Sequence, residues 1–224
     1  MININNRLKT VASFVLESDA KFIIDVGCDH ALLDIYLFQC SDKLKIVASD
    51  INEGPLLKAE ENLLKYSCFN KIKLEKADGI SNINDNTDTI IISGMGMENI
   101  IKILTQDKSN ISNVKRLIIS SNNKYEILRF KICNLGFYIN KEKIIYEDGK
   151  YYIIIEFIKG NSKYTKKEFY FGPCLLKNKD KLFYEYYLEM KNIKEQILNS
   201  IPIVYKEKRK LLIKEIKMLI LETS

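Results

Sequence analysis

Five short runs of aliphatic, largely β-branched residues constrain this chain more than anything else: 22–26, 45–49, 71–76, 89–93 and 116–120. Runs this continuously apolar suit strands covered on both faces. Between them, 32–40, 55–67, 98–105 and 124–134 can each form an amphipathic helix. Strands alternating with helices predict a parallel sheet with right-handed helical crossovers. Two further runs, 138–146 and 151–158, flank Glu147-Asp148-Gly149-Lys150. An Asp-Gly centre is a hairpin signal, so the sheet is expected to end in an antiparallel pair.

Residues 160–172 read as a linker, and the pattern after Gly172-Pro173 turns helical. Phe183, Tyr186, Met190, Ile193 and Ile197 recur at alternating spacings of three and four, Pro202 interrupts, and Leu212, Ile216 and Leu219 resume. Two such seams joined by a short break predict an antiparallel helical hairpin. The expected organisation is therefore a catalytic domain over 1–160, then linker and hairpin over 161–224.

Charge divides the same way. Lys159 to the end holds 15 Lys+Arg against 8 Asp+Glu, whereas the preceding residues hold 20 against 21. A basic segment attracts phosphate-rich partners, although an Ile-, Lys- and Asn-rich composition accounts for part of the lysine excess. The five cysteines show no CxxC pairing, and no run approaches the ~20 apolar residues of a membrane span. A cytoplasmic chain in a reducing compartment is expected. One histidine and scattered cysteines give no recognisable metal-ligand set. No G-x-S-x-G or G-K-[ST] segment supports a hydrolase or P-loop reading.

The chemistry-bearing residues fall where the apolar runs end. Asp25-Val26-Gly27-Cys28-Asp29-His30-Ala31 joins the first run to the first helix, and Gly27 allows a ligand close to the backbone. Asp29 stands where a dinucleotide fingerprint would have a second glycine. A carboxylate there repels a pyrophosphate but suits the sulfonium and ammonium groups of S-adenosylmethionine. Asp50, beside Ile51, ends the second run about 20 residues later, the place for a ribose-binding acid; helix capping is the competing explanation. Asp78-Gly79 could meet an adenine amino group or make a turn. Ser93-Gly94-Met95-Gly96 supplies a loop at the same edge. The N/D-P-P-Y/F clamp common in amino-methyltransferases is absent, which favours a ring-nitrogen acceptor. His30, the lone histidine, is structural or functional with equal warrant from its position. Cofactor contacts are thus expected at Asp25, Gly27, Asp29, Asp50, Ile51, Asp78, Gly79, Ser93, Gly94 and Met95.

Taken in order, the 7–12 segment, Gly27-Cys28-Asp29-His30-Ala31, Asp50, Gly54-Pro55, Asp78-Gly79, Ser93-Gly94-Met95-Gly96, Asn122, Glu147-Asp148-Gly149-Lys150 and Phe171-Gly172-Pro173 resemble the bacterial tRNA (adenine-22-N1)-methyltransferase family. The resemblance implies an α/β Rossmann-like class I methyltransferase sheet and a C-terminal coiled-coil hairpin. It implies S-adenosylmethionine as cofactor, a tRNA D-arm adenine as substrate, and catalytic roles for Asp29, His30 and Asn122. A monomer free of metal and membrane is expected. Two departures stand out. The family's D-H-A-Y-L-P turn is here Asp29-His30-Ala31-Leu32-Leu33-Asp34, and its Q-P-N is Ser120-Ser121-Asn122. At this point a methyltransferase with another substrate, a non-catalytic RNA-binding protein with a degenerate domain, and a less favoured NAD-dependent oxidoreductase remain open.

Overall fold

The computed structural model describes residues 1–81, 83–106 and 111–223. It divides into two compact units, 1–176 and 177–224.

The first unit opens with helix α1 (Asn6–Leu16), which has no counterpart among the apolar runs. Asn5 caps it, its side chain accepting from the Leu8 amide, and Val11, Phe14 and Val15 are buried. Then follow β1 (Phe22–Val26), α2 (Leu32–Cys40), β2 (Lys45–Asp50), α3 (Glu53–Lys65), β3 (Ile72–Lys76), β4 (Thr89–Met95), α4 (Met97–Thr105), β5 (Arg116–Ser121), α5 (Tyr125–Cys133), β6 (Phe137–Glu147) and β7 (Lys150–Lys159). The sheet order is β3-β2-β1-β4-β5-β7-β6. The first five strands pair in parallel, and β7 runs antiparallel to both β5 and β6. This is the Rossmann-like methyltransferase sheet expected from the sequence. The order reverses at β1, so the crevice where ligands bind such sheets opens at the carboxyl ends of β1 and β4.

Strand identity follows burial. Ile90, Ile91 and Ile92 of β4 and Leu117, Ile118 and Ile119 of β5 are wholly buried, as two covered faces require. On edge strand β3, the exposed Lys73 and Lys76 disfavour pairing with another chain. The β6–β7 connection is the two-residue loop Asp148-Gly149, both at positive φ, the geometry Asp-Gly favours.

The stretch read as linker is not one throughout. Lys166–Phe171 forms α6, started by a reciprocal capping box between Thr165 and Glu168, and α7 (Pro173–Lys177) follows. The T-x-x-E signature was present in the sequence. Arg129 of α5 fixes this segment: its side chain donates to Glu142 and to the Phe169 and Tyr170 carbonyls, and both charged side chains are fully buried.

The second unit pairs α8 (Lys181–Ser200) with α9 (Lys206–Thr223). Lys179, before α8, meets Glu222 near the end of α9, so the helices are antiparallel, as expected. The seam differs from the spacing-based one. Phe183 and Tyr187 are buried, whereas Ile193 and Ile197 are exposed. Lys194, which pairs with Glu215 of α9, lies nearer the seam. Long lysine stems can cover apolar surface while keeping their charge in water, so the inward face here includes residues that a hydrophobic count passes over. No described helix is long and apolar enough to cross a membrane.

Candidate active site

Because β1 to β4 are parallel, their carboxyl ends share one edge, and the acids at those ends converge. A cleft of about 560 Å³ lies there, within the usual range for small-molecule sites. Asp25 and Gly27 line it from the end of β1, Asp50 and Ile51 from β2, Asp78 and Gly79 from beyond β3, and Ser93, Gly94 and Met95 from β4. Asp29 and His30 complete the wall from the turn before α2.

That turn is tightly specified. The Ser49 carbonyl accepts the Gly27 and Cys28 amides, the Cys28 carbonyl accepts the Ala31 amide, and Asn62 of α3 donates to the His30 carbonyl. Gly27 has φ +76°, and a Cβ there would lie 2.2 Å from Met95 Cε, within the cleft wall. Asp29 and Ala31 also adopt positive φ, which is uncommon for residues with a side chain. The turn thereby presents Asp29 outward, with its side chain 73% exposed. His30 Nδ1 lies 3.5 Å from Asp29 Oδ1, with no hydrogen bond between them.

Beneath the turn the electrostatics are unusual. Burial pushes the Asp25 carboxyl up to about 7, opposed by a hydrogen bond with Asp34 and reinforced by Asp50. Burial and the neighbouring Asp25 hold Asp34 well above the ordinary carboxylate range. Burial, then the charges of Asp34, Asp25, Asp50 and Asp29, also drives the Cys28 thiol upward. Asp50 Oδ1 accepts the Asn52 amide at 2.9 Å, so the acid shapes the entry to α3 as well as lining the cleft.

The donor set fits a methyl donor with a nucleoside and an amino-acid end. Gly27 lets the Met95 side chain pack against the backbone of the turn, Ser93 Oγ is buried without a hydrogen-bond partner among the described residues, and carboxylates are the commonest charged groups on the wall. Among the described residues no group of three or more His, Cys, Asp or Glu could hold a metal ion.

A family model for tRNA (adenine(22)-N(1))-methyltransferase matches residues 23–222. The chain belongs to that family. A Streptococcus pneumoniae protein solved in complex with S-adenosyl-L-methionine is 31% identical, with a TM-score of 0.90 and coverage of 99% of this chain and 100% of that one. M. capricolum TrmK, solved with S-adenosyl-homocysteine, is 29% identical, with a TM-score of 0.85 and 96% coverage of each chain. The B. subtilis m1A22 tRNA methyltransferase TrmK is 25% identical, with a TM-score of 0.88 and full coverage of both.

Within the tRNA (adenine(22)-N(1))-methyltransferase fold, Asn122 takes a position that its sequence context did not suggest. Its Nδ2 donates to the Gly94 carbonyl at 2.7 Å and its amide to the Met95 carbonyl, bracing the β4 loop, but it does not line the cleft. Other cleft residues carried no site signal in the sequence: Arg7 from α1, Asn52 from the entry to α3, and Asn99, Lys102 and Gln106 along α4. Lys102 and Gln106 follow a helical spacing of four, one face of α4, which only the fold directs toward Gly79. Arg7 lies in the 7–12 segment that carries the family resemblance, but nothing there marked it as a site residue.

Proposed function

We propose that this chain transfers a methyl group from S-adenosylmethionine to N1 of adenine 22 in the D arm of tRNA. The observation that carries the reading is the convergence of Asp25, Asp50 and Asp78 with the Gly27 turn on one cleft, in a chain of this family.

Asp50 takes the ribose hydroxyls in this reading, as an acid ending the second strand does in nucleotide-binding sheets. Asp78 and Gly79 take the adenine end, and Gly27 the amino-acid end. S-adenosylmethionine, when bound, supplies a methyl group made electrophilic by its sulfonium. Adenine N1 has a free lone pair, so no residue need remove a proton before transfer, and positioning supplies most of the rate. The product base is cationic. Asp29, at the open rim, offers a carboxylate to stabilise that charge or to accept an N6 proton, with His30 beside it. N1 lies on the Watson–Crick edge, so a paired target must leave its stack to reach the cleft.

We infer a monomer acting alone, and a tRNA substrate supports a cytoplasmic setting. Of the basic residues on α9, Lys206, Lys208 and Lys210 are exposed and suited to tRNA phosphates. Arg209 is committed elsewhere, donating to the Leu198 and Ile201 carbonyls.

The test is incubation with unmodified tRNA and methyl-labelled S-adenosylmethionine, followed by digestion to nucleosides. Labelled 1-methyladenosine mapping to position 22 is expected. Label in another nucleoside, or none with cofactor binding intact, would reject the substrate.

A further inference from the structure

Among the described residues Arg7 is the one guanidinium lining the cleft, where acids outnumber cations. Besides His30, the only cationic side chains lining it among the described residues are Arg7 and Lys102, against Asp25, Asp29, Asp50 and Asp78. S-adenosylmethionine has two positive groups and one negative group, its carboxylate. The acids account for the positive groups. The carboxylate has to lie where a cation offsets them.

The two cations sit at different ends of the cleft. Lys102 shares α4 with Ile103 and Gln106, and those two crowd Gly79: a Cβ on Gly79 would lie 2.7 Å from Gln106 Oε1 and 3.2 Å from Ile103. Arg7 belongs to the other corner. A Cβ on Gly94 would lie 3.2 Å from Arg7 Nη1, and one on Gly27 would lie 2.2 Å from Met95 Cε. Gly27, Met95, Gly94 and Arg7 thus form one contiguous corner, distinct from the Gly79 corner that Ile103 and Gln106 crowd.

Arg7 is also held for a task. The Glu147 carboxylate at the end of β6 accepts the Asn6 amide at 2.6 Å and the Arg7 amide at 3.3 Å. The guanidinium carbon lies 5.2 Å from the centroid of the Tyr152 ring on β7, a cation–π distance. Glu147 and Tyr152 thereby fix the backbone and the plane of the group. Among the described residues its N–H groups form no hydrogen bond or ion pair. A planar, pre-positioned fork without a carboxylate is suited to receiving one in a bidentate pair.

We propose that Arg7 binds the carboxylate of S-adenosylmethionine and so fixes the amino-acid end of the methyl donor, a positioning role that rests on reading the cleft as the cofactor site. The chemistry discriminates it from general shaping of the pocket, because decarboxylated S-adenosylmethionine differs from the cofactor only in the group Arg7 would hold.

The experiment measures the affinity of the full chain for both compounds by calorimetry, in wild type and in Arg7→Met, which keeps the stem against Tyr152. Wild type should prefer S-adenosylmethionine by about 10- to 100-fold, the range for a charge-assisted pair. Arg7→Met should remove that preference by weakening only the carboxylate-bearing compound, and Arg7→Lys should restore part of it. Equal loss for both compounds in Arg7→Met would overturn the proposal and make Arg7 a structural residue. Unchanged cofactor affinity with a raised KM for tRNA would overturn it in favour of a substrate-phosphate contact. The wild-type comparison needs no variant, and absence of preference there would also overturn it. Failure of wild type to bind either compound would instead sink the cofactor reading beneath it.

Discussion

Asp34, in the first turn of α2, and Asp25 of β1 are both buried in the interior of the domain, and burial raises both carboxyls, so the pair favours keeping a proton. Among the described residues neither Asp34 oxygen accepts a hydrogen bond from an amide or hydroxyl. Asp34 is also a position where this chain departs from the proline of the family turn.

The pair makes stability fall as pH rises. Folding raises the Asp25 carboxyl from 3.8 to about 7, so across that window the folded chain holds a proton that the unfolded chain has lost. Asp34 is raised as well, and adds to the loss in the same direction. Asp34→Asn keeps a neutral donor beside Asp25 and removes that contribution. Its melting temperature should exceed that of wild type by a margin that widens from about pH 4 to about pH 8. A margin independent of pH would dismiss the retained proton.

Cofactor binding should feel the same group. The ionised form of Asp25 attracts the cationic end of the ligand, so binding at about pH 6.5 should release a proton and tighten as pH rises toward 7. Calorimetry in buffers of different ionisation enthalpy measures this release. No proton exchange would remove Asp25 from direct contact.

Asp29→Asn should separate chemistry from folding. Asparagine tolerates the positive φ of this position, and the side chain is largely exposed. The melting temperature should stay put while turnover on tRNA falls by about 100-fold or more. Unaltered turnover would exclude the proposed role.

The helical hairpin offers a salt-dependence test. Alanine at Lys206, Lys208 and Lys210 should weaken tRNA binding and flatten its dependence on salt, by about one unit of log–log slope for each phosphate no longer neutralised. An unchanged slope would assign these lysines to solvent alone. Arg209→Ala should instead lower thermal stability, because its guanidinium holds the carbonyls at the end of α8.

Gly172 and Arg129 control whether α6 docks. Gly172 has φ +89°, and a Cβ there would lie 2.5 Å and 2.6 Å from the two carboxylate oxygens of Glu142. Arg129→Met strands that carboxylate in the interior, at a cost of about 3–5 kcal/mol. Gly172→Ala should be destabilising for steric reasons. Denaturant titration should show both, with Arg129→Met/Glu142→Leu recovering much of the single-variant loss. A near-neutral Arg129→Met would contradict the buried pair.

Much of the catalytic unit was legible because its signals are local. The β1 and α2 runs carry their own boundaries, Asp148-Gly149 announces its hairpin, and each strand-end acid sits next to the strand that positions it. What escaped depends on contacts distant in sequence. Arg7 reaches Gly94 only through the packing of α1 and its tie to Glu147. Asp34 looks like an ordinary polar residue in a helical first turn, where a carboxylate suits the dipole, and its burial appears only when α2 packs. Asn122 sits at a strand end like the site acids, yet its side chain turns to a carbonyl. On α8 two phases of the apolar spacing compete, and the structure buries Phe183 and Tyr187 while exposing Ile193 and Ile197.

The acids around Cys28 have a further consequence. A sulfonium methyl group is an alkylating agent, and Cys28 places a sulfur nucleophile on the same cleft. Only the thiolate attacks readily, and burial together with the surrounding carboxylates suppresses that form. Burial first, and then the acids that welcome the cofactor, keep the Cys28 sulfur in its unreactive form.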